Sequence, residues 1–266
     1  KQPFFDKTKN SILAFNGEIY NFKYLRKILA KEINFKSNSD TEVLFWGLKM
    51  HGTKFIEEIE GMFAFVYYDK NLNKLILCRD RFGEKPLLYY KSKNNIFFAS
   101  ELKTFQILLK KKFEFNKKYL EKFLFNDYRY LNKDFSTHIK NINKIEQGTY
   151  IIIDNKFKIT KKNYFKIKIK ERRKSKLIDI KKNIKKKLIS LTKNSLISDR
   201  PLAFCLSGGV DSSGLISIAK KYTKQKINSF TIYSDDKKYD EFEMVNKTIK
   251  KLKIKHNWIK INKNET

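Results

Sequence analysis

The chain has 266 residues, enough for two domains with separate cores, and carries 59 Lys and Arg against 28 Asp and Glu, a formal charge of +31. The lysines are spread over almost every segment and Arg is scarce beside them, which argues for a lysine-heavy surface and against a specific nucleic-acid interface. Two cysteines give no disulfide framework, and no apolar run approaches the roughly 18 residues of a membrane span, so a non-membrane protein of the reducing cytoplasm is expected.

In chain order, Ile12 to Phe15 reads as a short apolar strand running into Asn16-Gly17-Glu18, and a helix follows with Phe22, Leu25, Ile28 and Leu29 on one face. An Asn-Gly pair is commonly a plain turn. The alternative is a hole for a developing oxyanion, with the Asn16 carboxamide and the Gly17 backbone N–H as donors. Ser37 to Glu42 cap a second helix, whose apolar face is Val43, Leu44, Trp46 and Leu48. Asp40 there is either an N-cap or, in a binding site, the partner of an amino acid's ammonium. Met62 to Tyr68 and Lys74 to Cys78 flank a polar loop like a hairpin, and Leu87 to Lys91 with Ile96 to Ala99 repeat the pattern. Phe113 to Tyr130 reads as an aromatic-rich helix with Tyr119, Phe123 and Tyr130 near one face. Gln147 to Ile153 is a turn into a strand, answered by Lys158 to Thr160. Short strands mixed with helices in this way predict an α+β layered domain.

Lys166 to Lys176 is densely basic and reads as a linker. Beyond it, Leu177, Ile180, Ile184, Leu188 and Leu191 form a helical stripe expected to pack on the sheet of the second domain. Pro201 separates that helix from a strand, Leu202 to Leu206. Next come Ser207-Gly208-Gly209-Val210-Asp211-Ser212-Ser213 and a helical pattern from Leu215. A strand at Ile227 to Tyr233, a helix at Asp240 to Leu252 and a strand at Asn257 to Ile261 complete the alternation. Such alternation predicts a parallel sheet with its ligand beyond the carboxyl ends of the strands. Cys78 and Cys205 both read as buried, inert strand residues.

The Ser207 to Ser213 turn is either an ordinary Gly-rich turn or a phosphate cradle. Two glycines let the backbone approach a ligand, and helix-start amides with the Ser207, Ser212 and Ser213 hydroxyls suit a pyrophosphate. Asp211 could reach a bridging Mg²⁺. The Gly-Lys-Ser/Thr ending of a Walker loop is absent, which favours splitting ATP into AMP and pyrophosphate over γ-phosphoryl transfer. His51, His138 and His256 have no second ligand at metal spacing. Asp235-Asp236 and Asp240-Glu241 make the densest acidic patch, open to a turn-plus-cap reading or to one beside Mg²⁺–pyrophosphate.

The loop resembles that of the N-type ATP pyrophosphatases, Ser-Gly-Gly-x-Asp-Ser. Upstream, Asn16-Gly17-Glu18-Ile19-Tyr20-Asn21, Ser37 to Glu42, Glu60 to Asp69, Arg79 to Tyr90 and Phe98 to Lys103 resemble, in order, the class II glutamine amidotransferase domain of glutamine-hydrolysing asparagine synthetases. The resemblance implies an incomplete α+β Ntn-hydrolase-type αββα sandwich over residues 1–168. Over 169–266 it implies a linker, a helix and an incomplete α/β parallel-sheet ATP pyrophosphatase domain. It also implies a two-site enzyme that hydrolyses glutamine to ammonia, activates aspartate with ATP and Mg²⁺, and joins the two as asparagine; a homodimer is compatible with it. Carried over by residue, Asn16 and Gly17 form the oxyanion hole, and Asn16, Gly17, Glu18 and Asp40 contact glutamine. Leu206 and Ile232 flank the nucleotide, while Ser207, Gly208, Gly209, Asp211 and Ser212 cradle pyrophosphate, with Asp211 as the metal contact.

The chain departs from the family in three places. The nucleophilic cysteine at the mature N-terminus and the arginine for the glutamine carboxylate are missing, and Thr266 falls short of the acceptor-binding elements. The expectation is therefore an internal piece of a longer polypeptide that alone turns over neither substrate. Relatives acting on sugar carboxylates or closing a β-lactam ring, and a catalytically dead binding module, are the other readings.

Overall fold

A computed structural model of the chain describes residues 2–6, 8–110, 112–126, 134–169, 176–198, 201–222, 226–233 and 241–261. The chain divides into two compact units, Lys1–Ile169 and Lys170–Thr266.

The first unit runs β1 (Phe4–Phe5), β2 (Ser11–Ile19), α1 (Phe22–Leu29), α2 (Asp40–His51), a 3₁₀ turn (Gly52–Lys54), α3 (Phe55–Glu58), β3 (Gly61–Asp69) and β4 (Lys74–Arg79). It continues with β5 (Leu88–Lys91), β6 (Ile96–Ala99), α4 (Leu102–Leu109), α5 (Lys117–Asn126), β7 (Ile142–Lys144), β8 (Thr149–Ile153) and β9 (Ile159–Asn163). One antiparallel sheet has the order β1-β2-β3-β4-β8-β9 and the other β6-β5-β7.

Period-two alternation assigns each face of these strands to a different neighbour. Leu13, Phe15, Phe63, Phe65, Tyr67, Ile76 and Cys78 point from the large sheet to Leu25, Leu29, Val43, Leu44, Phe45, Leu48 and Ile56 of the helices. From the opposite face, Ala64, Val66, Leu77, Ile151 and Ile153 meet Leu87, Ile145, Tyr89 and Ile96 of the small-sheet layer. Beyond that sheet, Leu88 and Ile142 pack with Phe105 of α4 and Ile139. The layers are thus helix, sheet, sheet, helix.

Within these layers, the Asn16-Gly17 pair does not turn the chain. β2 continues through it to Ile19, paired residue for residue with β3 from Ser11↔Asp69 to Ile19↔Gly61. The aromatic segment expected to be helical from Phe113 is shorter. Asn116 Oδ1 accepts from Tyr119 N at 3.2 Å, so α5 starts at Lys117, and Phe113 instead stacks edge-on against Tyr90 of β5. Tyr130 lies outside the described residues.

In the second unit, α6 (Leu177–Ser195), β10 (Ala203–Cys205), α7 (Val210–Tyr222), β11 (Asn228–Tyr233), α8 (Phe242–Leu252) and β12 (Lys255–Lys260) follow one another, and the three strands pair in parallel in the order β10-β11-β12. Leu206, Ile216, Ala219, Ile227 and Val245 form its core between the sheet and α7 and α8. The α6 stripe was expected to pack on this sheet. Instead Leu177, Ile180, Ile184, Leu188 and Leu191 stay exposed, and α6 meets α7, burying Thr192. Part of the basic linker, residues 170–175, and the acidic residues Asp235, Asp236 and Asp240 lie outside the described residues.

Candidate functional site

The first candidate site forms where β2 outruns β1. Phe63 of β3 donates its N–H to Asp80 Oδ2 at 3.2 Å and accepts from Asp80 N at 2.8 Å, so both its backbone groups face β4. Gly17↔Phe63 is therefore a non-hydrogen-bonded pair, and the Gly17 N–H points outward, away from β3. Its neighbours at i−2 and i+2 confirm the direction: Phe15 N donates to Gln2 Oε1 at 2.7 Å, and Ile19 N to Asp40 Oδ2 at 3.0 Å. Between those two satisfied amides, Gly17 offers a donor to whatever lies beyond the edge. Only glycine fits here, because φ is +150° and a Cβ would sit 2.2 Å from Met62 O.

Asn16, Gly17, Glu18 and Asp40 are brought together at this edge. Asn16 and Glu18 project from the face of β2 opposite Phe15. Asp40 is not the N-cap. Ser39 fills that place, its Oγ accepting from Thr41 N at 3.0 Å, which frees the Asp40 carboxylate to bind the end of β2. Nothing in the sequence pattern marks Gln2, yet it belongs to this edge. Its side chain both donates to Phe15 O at 2.6 Å and accepts from Phe15 N, standing in for a sheet partner.

The Arg79 to Pro86 turn supports the same end of the sheet. Asp80 is fully buried and its carboxylate accepts from the N–H groups of Phe63, Phe82, Glu84 and Lys85 at 2.9–3.2 Å. The Arg79 guanidinium donates to the carbonyls of Gly83, Lys85 and Ile145 at 2.5, 2.7 and 3.0 Å. Arg79, Leu88, Ser100, Tyr119, His138 and Lys144 help line a pocket of about 460 Å³ beside this turn. Burial, and then Arg79, hold the Lys144 ammonium below its ordinary pKa.

The second candidate site lies at the carboxyl end of β10. Leu206 N donates to Phe230 O at 2.8 Å and carries the parallel register one residue past the strand. The chain then turns through Gly208, at φ +69°, where a Cβ would press on Met244 at 3.1 Å and on Glu241 at 3.4 Å. The helix starts at Val210, five residues before the apolar pattern suggested, because Val210 to Ser213 form its first turn. Ser213 N makes the first i→i−4 bond, to Gly209 O at 3.1 Å, so the amides just ahead of it have no intrahelical acceptor. Ser207 and Ser212 hydroxyls lie 3.1 Å apart at the mouth, with Ser212 Oγ donating to Gly209 O at 3.2 Å. Asp211 is exposed in the first turn, where the helix dipole favours an acid.

Leu206 lies opposite Thr231, next to Ile232 in the adjacent strand, but the two side chains differ in exposure. Leu206 is 2% exposed, in the core, while Ile232 is 62% exposed on the other face of the sheet. No group of three or more His, Cys, Asp or Glu able to hold a metal occurs among the described residues. Nor, among them, is any helix long and apolar enough to cross a membrane.

The cysteines differ. Cys78 is fully buried, and burial, then the nearby Asp80, push its thiol well above the ordinary range. Cys205 was expected to be buried too, but it points to the sheet face opposite Phe204 and Leu206, and its thiol is exposed. A maleimide should therefore label one thiol per native chain, Cys205, and both only in denaturant. Mass spectrometry showing two labels on the native chain would contradict the burial of Cys78.

The comparisons with known proteins agree with this layout. The glutamine amidotransferase domain family matches residues 1–165, and asparagine synthase matches residues 183–266. The glutamine-hydrolyzing asparagine synthetase 1 of Bacillus subtilis is 31% identical over 96% of this chain and 40% of its own length. Asparagine synthetase B of Escherichia coli is 28% identical over 85% of this chain and 35% of its own. The amidase chry2 of Gibberella zeae is 30% identical over 84% and 33%. The chain thus spans less than half the length of these relatives. Among solved structures, the glutamine phosphoribosylpyrophosphate amidotransferase of Bacillus subtilis superposes with a TM-score of 0.45 at 16% identity over 97% of this chain and 48% of that one, too loosely to bear on the fold. Because the glutamine amidotransferase family model matches residues 1–165, more than half of the chain, the chain belongs to the glutamine amidotransferase domain family, with its residues 183–266 matching asparagine synthase.

Proposed function

We propose that the chain is the glutamine-hydrolysing half, together with the start of the ATP-using half, of an asparagine synthetase with an Ntn-hydrolase-type first domain. The observation that carries this reading is the outward-facing Gly17 amide beside the Asn16 carboxamide. Two donors at one strand end suit the oxyanion that forms when an amide carbonyl is attacked. Asp40 fixes that end of β2 and presents a carboxylate to the substrate's ammonium, with Glu18 alongside. The attacking thiolate is not among these residues. Cys78 is sealed in the core, and Cys205 lies in the second unit.

In the second unit, the amides ahead of Ser213 hold the pyrophosphate part of ATP, joined by the Ser207 and Ser212 hydroxyls once these turn from their bonds to each other and to Gly209 O. One carboxylate at the mouth, Asp211, matches a Mg²⁺ that takes its other ligands from phosphate oxygens and water, and such an ion would neutralise charge on the leaving pyrophosphate. Ammonia then attacks the adenylated aspartate to give asparagine. A second reading keeps both sites and changes the acceptor carboxylate, because amidase chry2 is as similar to this chain as the synthetases are.

Calorimetric titration tests the separation of the two sites. Asp211→Ala should weaken Mg-ATP binding by about ten-fold or more while L-glutamine affinity is unchanged, and Asp40→Ala should do the reverse. Loss of both ligands in either variant would defeat the two-site assignment.

A further inference from the structure

We infer that Ser100 positions the Asn16 carboxamide and so sets the aim of the oxyanion donor; the chemistry of this role rests on the glutaminase reading above. Asn16 heads a cross-strand row, Asn16↔Ala64↔Arg79, on the face of the large sheet that looks toward the small sheet. Its side chain is exposed, and an amide on a broad χ2 torsion has little to fix it. An oxyanion donor needs its direction held to within about 10–20°.

One hydrogen bond supplies that restraint: Asn16 Nδ2 donates to Ser100 Oγ at 3.4 Å, across 84 residues of sequence. Ser100 is a firm anchor. It directly follows Ala99, which pairs with Leu88 in β5↔β6, and it precedes Glu101, the N-cap residue of α4. α4 is in turn pinned by the fully buried Phe105. An Asn amide has two N–H donors, so one can rest on Ser100 while the other faces the oxyanion. The distance is at the long end for a hydrogen bond. In this role Ser100 acts through Asn16.

The test is NMR of the 266-residue chain with ¹⁵N-labelled asparagine, the Asn16 Nδ2 signals being assigned through Asn16→Asp. Ser100→Val removes the hydroxyl at similar shape, and Ser100→Thr keeps it. Exchange of the Asn16 Nδ2 protons should speed up about three- to ten-fold in Ser100→Val and stay near wild type in Ser100→Thr, with backbone amides of β2 and β6 unchanged in both. Identical Nδ2 exchange in the wild type and Ser100→Val would overturn the inference, as would equal effects of Val and Thr. L-Glutamine is then added to the wild-type chain. A shift of the Asn16 Nδ2 signals supports both claims. Hydroxyl-dependent exchange with no response to glutamine upholds the Ser100–Asn16 coupling and overturns the glutamine reading instead.

Discussion

Asp80→Ala should remove a large part of the stability of the first unit. The Asp80 carboxylate is fully buried and is the acceptor for four backbone N–H groups, those of Phe63, Phe82, Glu84 and Lys85. Alanine leaves these donors facing a cavity. A buried donor without a partner costs about 1–3 kcal/mol, and some of the turn can rehydrate, so the net loss is about 4 kcal/mol or more. That is a large part of the roughly 5–15 kcal/mol that stabilises a domain. Asp80→Asn keeps one carbonyl oxygen but turns an NH₂ toward donors, and should fall between the two. Trp46 lies in the first unit and Trp258 in the second, so urea unfolding followed by fluorescence in a Trp258→Phe background reports the first unit alone. The midpoint should drop by about 2 M or the transition should vanish. A drop below about 0.3 M would show that water replaces the carboxylate at little cost.

Gly17→Ala carries the second large effect. The added methyl would lie 2.2 Å from Met62 O and 2.6 Å from Phe63 Cα, both backbone atoms of the paired strand, at a φ of +150° that L residues rarely adopt. β2 has to move away from β3 or change its dihedral angles, at a cost of about 3 kcal/mol. The outward amide moves with it, so glutamine binding should be lost beyond what the stability change explains. Gly214→Ala is the matched control. Gly214 sits inside α7, where an added methyl would meet nothing within 4 Å, and alanine there should stabilise by about 0.5–1 kcal/mol. Two Gly→Ala changes of opposite sign would separate close backbone approach from simple propensity. Equal effects would show that β3 does not require glycine at residue 17.

Local pattern made much of this architecture readable. Apolar runs such as Met62 to Tyr68 became strands, and alternating strands and helices after Pro201 became the parallel β10-β11-β12 sheet. What pattern alone could not supply was pairing across distance. Asn16-Gly17-Glu18 has no apolar side chain to mark a strand; its strand character comes from register with β3. Asp40 resembles a cap because acids favour helix starts, but its acceptor role joins it to Ile19, 21 residues away. Asp80 gave no local sign of burial, since its partners are backbone amides that no side-chain pattern reveals. Cys205 and the α6 stripe failed for a related reason. Periodicity says which face of an element is apolar, not whether a neighbour covers it. The phosphate loop was legible in residue type, yet the helix start at Val210 was not, because Asp211, Ser212, Ser213 and Gly214 carry no apolar signal.

One backbone group, the Gly17 N–H, has to serve as a donor to a substrate carbonyl if the first unit is a glutaminase domain. Titrating ¹⁵N-labelled chain with L-glutamine while following backbone amides examines it directly. The Gly17 amide should exchange quickly in the free chain and move the most on saturation, together with Ile19 and the Asn16 side chain, while the amides of Gly208 to Ser212 hold still. A Gly17 amide that is already protected and does not respond to glutamine would contradict the assignment.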